Sequence, residues 1–396
     1  MFDYNGYFLD NERKILYFNP KIETIESLDK KDLRKIEYKG EKFYLNLDSK
    51  SICPFHLECR GCPYIHLDYI QQFDIKKEQF DYIFRTCDVK KEYFKDNRYN
   101  YKEKIRVHVS LQNNNIIFNL NGEKPDLFFP CKIINEKIND FIIAFNNFKF
   151  ESNLNDLFSF NEVFISNYDS KIIIKLKKNY NIYDKLLIKK LQLLNYKDLI
   201  IDDTDLQMSY KIKTDKEYEL FYFSDSFIQS NSNINQKMIT FIYDYLKNQL
   251  SNENEKIDLY DFFGGNGNLS IGLSSIFSQI FVIESNKKSK LNLDKSNEIN
   301  KTGLEFLNCD LEKTIPILSK NKKVAILDPP RIGVYDRQLK IILENFDYVI
   351  YVSCNPLIIK RQLKIIKKFH EILNISIFDN FGYTKYFESI IVSKRK

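Results

Sequence analysis

Ile257-Asp258-Leu259-Tyr260-Asp261-Phe262-Phe263-Gly264-Gly265-Asn266-Gly267-Asn268-Leu269-Ser270 is an apolar, strand-length run that breaks into clustered glycines. Glycines let the chain take conformations closed to other residues and let a ligand approach the backbone closely. The stretch predicts a strand, a ligand-binding turn and the start of a helix. Downstream, apolar runs at 280–284, 304–308, 324–328 and 348–353 alternate with polar, helix-length segments. That is the pattern of βαβ units around a mostly parallel sheet. Two last runs, 375–378 and 387–392, are joined by a connection too short for a helical crossover and are expected to pair antiparallel. The fold class read here is α/β, with a Rossmann-like sheet that ends in antiparallel strands.

Candidate ligand groups lie at the ends of these strands. Ser270 stands where a dinucleotide fingerprint needs Gly or Ala, which disfavours NAD. Glu284 ends the next strand and suits ribose hydroxyls; Asp310 and Asp328 follow the two strands after it. Asp328-Pro329-Pro330 is similar to the Pro-Pro-aromatic loop of enzymes that methylate exocyclic amines, but its fourth residue is Arg331. With Cys354 downstream, this moves the chemistry from an amino nitrogen to a ring carbon. Residues 348–352 read as a buried strand that Asn355-Pro356 ends at once, leaving Cys354 at the carboxyl edge where parallel sheets bind ligands. The thiolate is the attacking species, and a free cysteine with pKa ~8.5 needs a nearby base or positive charge to form it. A lone cysteine is more often core filling; the flanking Ser353, Asn355 and Pro356 reverse that preference.

The chain has 396 residues, 43% hydrophobic and 29% charged, an ordinary globular composition. Its first residues show no signal-peptide pattern, and no apolar run approaches the ~20 residues of a membrane span. A cytoplasmic protein without a membrane partner is expected. Sixty Lys and Arg against 54 Asp and Glu allow a basic face. One candidate is Lys360, Lys364 and Lys367, although a solvated helix face is the better reading. Seven cysteines, an odd number, argue for thiols or metal ligands over disulfides. Cys53, Cys59 and Cys62 give C-x5-C-x2-C, with Cys131 available as a fourth ligand. The spacing favours an iron–sulfur cluster of the [4Fe-4S] kind, and His56 and His66 keep zinc as the alternative. Cys87, Cys309, His108 and His370 read as structural.

Four segments follow from these readings. Residues 1–50 carry weak strand signals and no assigned role, and 51–99 hold the cysteine motif. Residues 100–225 are β-rich and a candidate for RNA binding. Residues 226–396 form the α/β unit, entered through a helix capped at Asn231-Ser232-Asn233.

Taken in order, the C-x5-C-x2-C run with Cys131, Ser226-Phe227-Ile228-Gln229-Ser230-Asn231, the 263–268 loop, Asp328-Pro329-Pro330-Arg331-Ile332-Gly333, Ser353-Cys354-Asn355-Pro356 and Thr384 with Glu388 resemble the RNA uracil-C5 methyltransferase family. They are most similar to its iron–sulfur-containing 23S rRNA members. The resemblance covers residues 53–396 and implies S-adenosylmethionine as methyl donor, contacted by Gln229, Phe263, Asn268, Glu284 and Asp328. It also implies Cys354 as nucleophile and Glu388 as the base. Uracil C5 becomes nucleophilic only after a thiolate adds at C6, and a base must later remove the C5 proton. An RNA partner follows, ribosomal in preference to the transfer RNA T-loop, with the protein acting as a monomer. Four departures stand out: Gly264 where the family often has Cys, Arg60 within the cysteine run, and Gly382 and Tyr386 in place of Pro and His before Glu388. Residues 1–50 also lack a match to the small RNA-binding barrel of many members.

Overall fold

The computed structural model describes Cys53, Cys62, Tyr64 and residues 69–396 other than 97–98, 114, 121–129, 151–160, 177–181, 203–205, 254, 312, 317 and 385. Before residue 53 it describes only five strands. The pair β1 (Leu9–Asp10) and β2 (Ile15–Leu16) is antiparallel. A second antiparallel sheet holds β3 (Ile25–Ser27), β4 (Leu33–Tyr38) and β5 (Glu41–Asn46). Helix α1 (Tyr69–Ile83) and strand β6 (Lys90–Phe94) come next.

A central sheet is built from β7 (Lys104–Gln112), β8 (Asn115–Asn119), β9 (Asn161–Tyr168), β10 (Lys171–Lys175) and β11 (Leu199–Asp202), in the order β11-β10-β9-β7-β8. All its pairings are antiparallel except β10 with β11. Ile105, Val107 and Val109 alternate inward along β7, as a half-buried strand requires. They meet Ile138, Phe141, Ile142 and Phe145, the apolar stripe of α2 (Glu136–Asn147). Helix α3 (Ile182–Leu194) adds Leu187 and Leu191 to the same core. The hairpin β12 (Gln207–Lys213) and β13 (Glu217–Phe223) falls within the 100–225 segment and packs two ways, with Met208 and Tyr222 against Ile173 of the central sheet. Its Ile212, Tyr218 and Leu220 share a core with the α/β unit.

Helix α4 (Ser232–Leu250), capped by Asn231, whose side chain accepts from Ile234 N, leads into that unit. The strands there are β14 (Ile257–Phe262), β15 (Gln279–Glu284), β16 (Glu305–Asn308), β17 (Lys322–Leu327), β18 (Tyr348–Ser353), β19 (His370–Phe378) and β20 (Glu388–Arg395). Between them run α5 (Lys288–Asn300), α6 (Asp336–Asn345) and α7 (Pro356–Phe369). The sheet order is β16-β15-β14-β17-β18-β20-β19-β6. β14 to β18 are parallel, and β20 runs antiparallel to both β18 and β19. Every residue of β14 and β18 is buried, with apolar clusters on both faces, as expected of a covered parallel sheet.

Two features differ from the sequence reading. The glycine turn opens only a single 3-10 turn, Ile271–Leu273, in place of a helix. Ser270, Gly272, Ser274 and Ser275 are weak helix formers, which accounts for it. The sheet also gains β6, parallel to β19 with Lys90 opposite Asn374, from the segment assigned to the cysteine motif. Among the described residues no helix is long and apolar enough to cross a membrane.

Candidate active site

The turn after β14 is shaped by backbone that most side chains avoid. Phe263 has φ +61°, Gly265 +54° and Gly267 +84°. A Cβ on Gly264 would lie 2.7 Å from the Asp261 carboxylate and 2.8 Å from the Asp261 carbonyl oxygen. A side chain there would force Asp261 to shift, so the turn as folded favours glycine. The turn walls a cavity of about 260 Å³ lined by Gln229, Phe263, Asn268, Glu284 and Asp328. Glu284 accepts from Gly265 N at 3.3 Å and from Asn286 N at 2.8 Å. Asn268 is committed to the protein: its oxygen accepts from Tyr210 and from Asn235, each at 2.8 Å, and its amide donates to Asn235 at 2.9 Å. Asp310 does not line the cavity and pairs with Lys313 at 2.8 Å. The structure therefore gathers five of the six expected cofactor residues and leaves out Asp310.

Cys354 and Glu388 meet through sheet register. Ser353 pairs with Ser389 across β18 and β20, so the next step of the ladder sets Cys354 against Glu388 at the carboxyl edge. Asn355 caps α7 by accepting from Leu357 N, and its amide donates to the Arg331 carbonyl at 3.1 Å. Burial, then the charge of Asp328, push Glu388 up to about 8, with Arg331 opposing. Its Oε2 is buried without a hydrogen-bond partner. Burial raises Asp328 to about 6, and it raises Asp261 to about 7. Both Asp261 carboxylate oxygens lack a hydrogen-bond partner. The Cys354 thiol is pushed up to about 11 by burial and then by Glu388, with Arg331 pulling the other way. Arg331 is held over the Tyr386 ring at 4.9 Å. Glu284 and the burial-raised Asp328 at the cavity wall suit a ligand with an ammonium and a sulfonium charge and oppose a pyrophosphate, so the lining fits S-adenosylmethionine.

The family described as tRNA (Uracil-5-)-methyltransferase matches residues 68–396. The chain belongs to this family. The methyltransferase is 25% identical over 372 residues to a tRNA/tmRNA (uracil-C(5))-methyltransferase of Campylobacter hominis, covering 87% of this chain and 99% of the relative. It is 26% identical over 376 residues to the protein of that name from Nautilia profundicola, with the same coverage. Its fold is similar to that of the Pyrococcus abyssi tRNA (uracil-54, C5)-methyltransferase solved with S-adenosyl-L-homocysteine. The TM-score is 0.66 at 18% identity, over 91% of this chain and 92% of that one. The chain is an S-adenosylmethionine-dependent RNA uracil-C5 methyltransferase. The two sequence relatives are named for transfer and transfer-messenger RNA, and nothing here shows the ribosomal subtype that the sequence reading expected.

The metal expectation of the methyltransferase fares differently. Cys53, Cys62 and Cys131 are half-buried against the central core, and the Tyr101 phenol, raised first by burial, feels Cys62 and Cys131. Cys59 lies outside the described residues, and among those described no three His, Cys, Asp or Glu side chains come together as a metal site. A four-thiolate site is thus not established. The Lys-rich face is partly engaged: Lys367 donates to the Thr86 carbonyl at 2.7 Å and Lys360 lies over the Tyr82 ring. Sequence reasoning missed Tyr210, Asn235 and Asn380, which hold Asn268 and Gln229. For Asn235 a signal existed, a polar residue among Ile234, Met238 and Ile239 on the buried stripe of a helix.

Proposed function

We propose that this methyltransferase acts on a uridine of transfer RNA, with Cys354 as nucleophile, Glu388 as the base, and Gln229, Phe263, Glu284 and Asp328 at the methyl donor. The observation that carries the reading is the register that brings Cys354 toward Glu388, both within the field of Asp328, which lines the cavity. The Cys354 sulfur adds to uracil C6, forming an S–C6 bond and moving the ring electrons to C5 and O4. Arg331 provides the positive charge that favours the thiolate. S-adenosylmethionine supplies, when bound, an electrophilic methyl on a positively charged sulfur. C5 would take that methyl as its bond to the donor sulfur breaks, leaving a neutral thioether; Glu388 removes the C5 proton, the S–C6 bond breaks, and the thiolate returns. The uridine must leave its stack to reach these groups. Phe227, 82% exposed at the cavity rim, presents a ring for an unstacked base. No step passes through a metal group.

The test is nucleoside mass spectrometry of separated transfer and ribosomal RNA from cells with and without the gene. Loss of 5-methyluridine from the transfer RNA fraction is expected. Loss confined to ribosomal RNA would overturn the substrate assignment.

A further inference from the structure

We propose that Gln72 and Lys76 on α1 are positioning residues for the reaction, clamping residues 379–387 in the strained turn that presents Glu388 to the site. The inference rests on the reading of Glu388 as the base. Residues 379–387 connect β19 to β20, longer than the usual hairpin loop, and Gly382 provides no ring to fix φ where the family usually has Pro. Anchors from distant sequence take that place. Lys76 and Asp379 are both fully buried and pair at 2.5 Å, and Lys76 also donates to the Phe381 carbonyl at 2.9 Å. Gln72 accepts from Tyr383 N at 2.8 Å, Tyr64 N donates to the Tyr383 carbonyl at 3.0 Å, and the Tyr101 hydroxyl donates to the Gly382 carbonyl at 3.0 Å.

What these anchors hold is strained. Tyr383 is 1% exposed and has φ +62°, a conformation that a bulky residue keeps only when its surroundings over-determine it. The same segment reaches the donor cavity. Asn380, fully buried, donates to Gln229 at 3.1 Å. Neither Gln72 nor Lys76 lines the cavity, so they act through the segment, at the Tyr383 amide and the Phe381 carbonyl, five and seven residues before Glu388. A buried ion pair alone has a plainer reading, that of seating α1. The strained turn and the separate Gln72 contact point beyond it.

The experiment uses the full chain with transfer RNA and S-adenosylmethionine, and Glu388→Gln as control. Gln72→Leu and Lys76→Met are expected to lower turnover about 10- to 100-fold, the scale for a misplaced catalytic group. KM for the donor should change less than turnover, because the segment touches the cavity only through Asn380 and Gln229. The fraction of RNA held in a denaturation-resistant adduct should rise several-fold, since proton removal stalls after sulfur addition. Gln72→Glu keeps the acceptor for Tyr383 N and should restore turnover. If Lys76→Met does not fold, Lys76→Met with Asp379→Leu removes both buried charges together and replaces it. Wild-type turnover in Gln72→Leu and Lys76→Met while Glu388→Gln accumulates adduct would overturn the clamp alone. Turnover and adduct lost together would reduce it to a folding contact. No adduct in Glu388→Gln would overturn the base assignment and the clamp with it.

Discussion

At the scale of single residues, the Cys354 thiol is held well above its ordinary range by burial and by Glu388. In the proposed mechanism this thiol starts protonated and depends on the assembled site for activation. Replacing Cys354 with Ala should abolish 5-methyluridine formation while leaving RNA affinity within about threefold, read by nucleoside mass spectrometry beside a binding titration. The control substitution Glu388→Gln should retain methyl transfer and accumulate RNA adduct on denaturing gels. The buried acids add a pH dependence. Asp261, Asp328 and Glu388 are raised to about 7, 6 and 8, against ~4 in an unfolded chain. Between those limits the folded protein keeps protons that the unfolded chain has released, so stability falls as pH rises from about 5 to 8. Thermal melting without donor should show that decline, and saturating donor should flatten it; a rise over the same interval would contradict the burial argument. The strand-end positions of Cys354 and Glu388 were legible from the apolar runs beside them, whereas their roles rest on the resemblance. Asn380 was not, because its partner Gln229 lies about 150 residues away in the chain.

At the scale of elements, the glycine turn tolerates substitution poorly at Gly264. Gly264→Ala would drive a Cβ into both the side chain and the carbonyl of Asp261. The expected cost is about 1–3 kcal/mol, together with at least a tenfold loss of donor affinity as the cavity wall shifts. Calorimetry of donor binding and denaturant unfolding would check both. The β14–β18 series and the β19–β20 pairing could be read from period and connection length. The 3-10 turn after the glycines had a signal in Ser270, Gly272, Ser274 and Ser275, weak helix formers that the strand-then-glycine motif outweighed in the reading. Strand β6 was hidden for a different reason. Lys90-Lys91-Glu92-Tyr93-Phe94 is too charged to look like a sheet strand, yet at an edge those charges are tolerated and discourage pairing with other molecules.

At the scale of the whole molecule, the α/β unit does not begin where its sequence pattern begins. A fragment of residues 226–396 leaves the β19 edge bare and lacks the α1 contacts around residues 379–383. It should be mostly insoluble, whereas a chain starting near residue 53 should stay in the soluble fraction; comparable solubility of the two would show that β6 is dispensable. The pairing of β6 with β19 has a consequence for how the protein is made. Lys90 leaves the ribosome about 280 residues ahead of Asn374, its opposite number in the sheet. At ~5–20 residues per second, that is a wait of tens of seconds. Through all of it α1 and β6 must remain unsatisfied beside a central sheet that can already fold. The last strands to be synthesised therefore decide when the first helix finds its place, and a nascent chain stalled before residue 370 should hold its amino-terminal third open to chaperones and proteases.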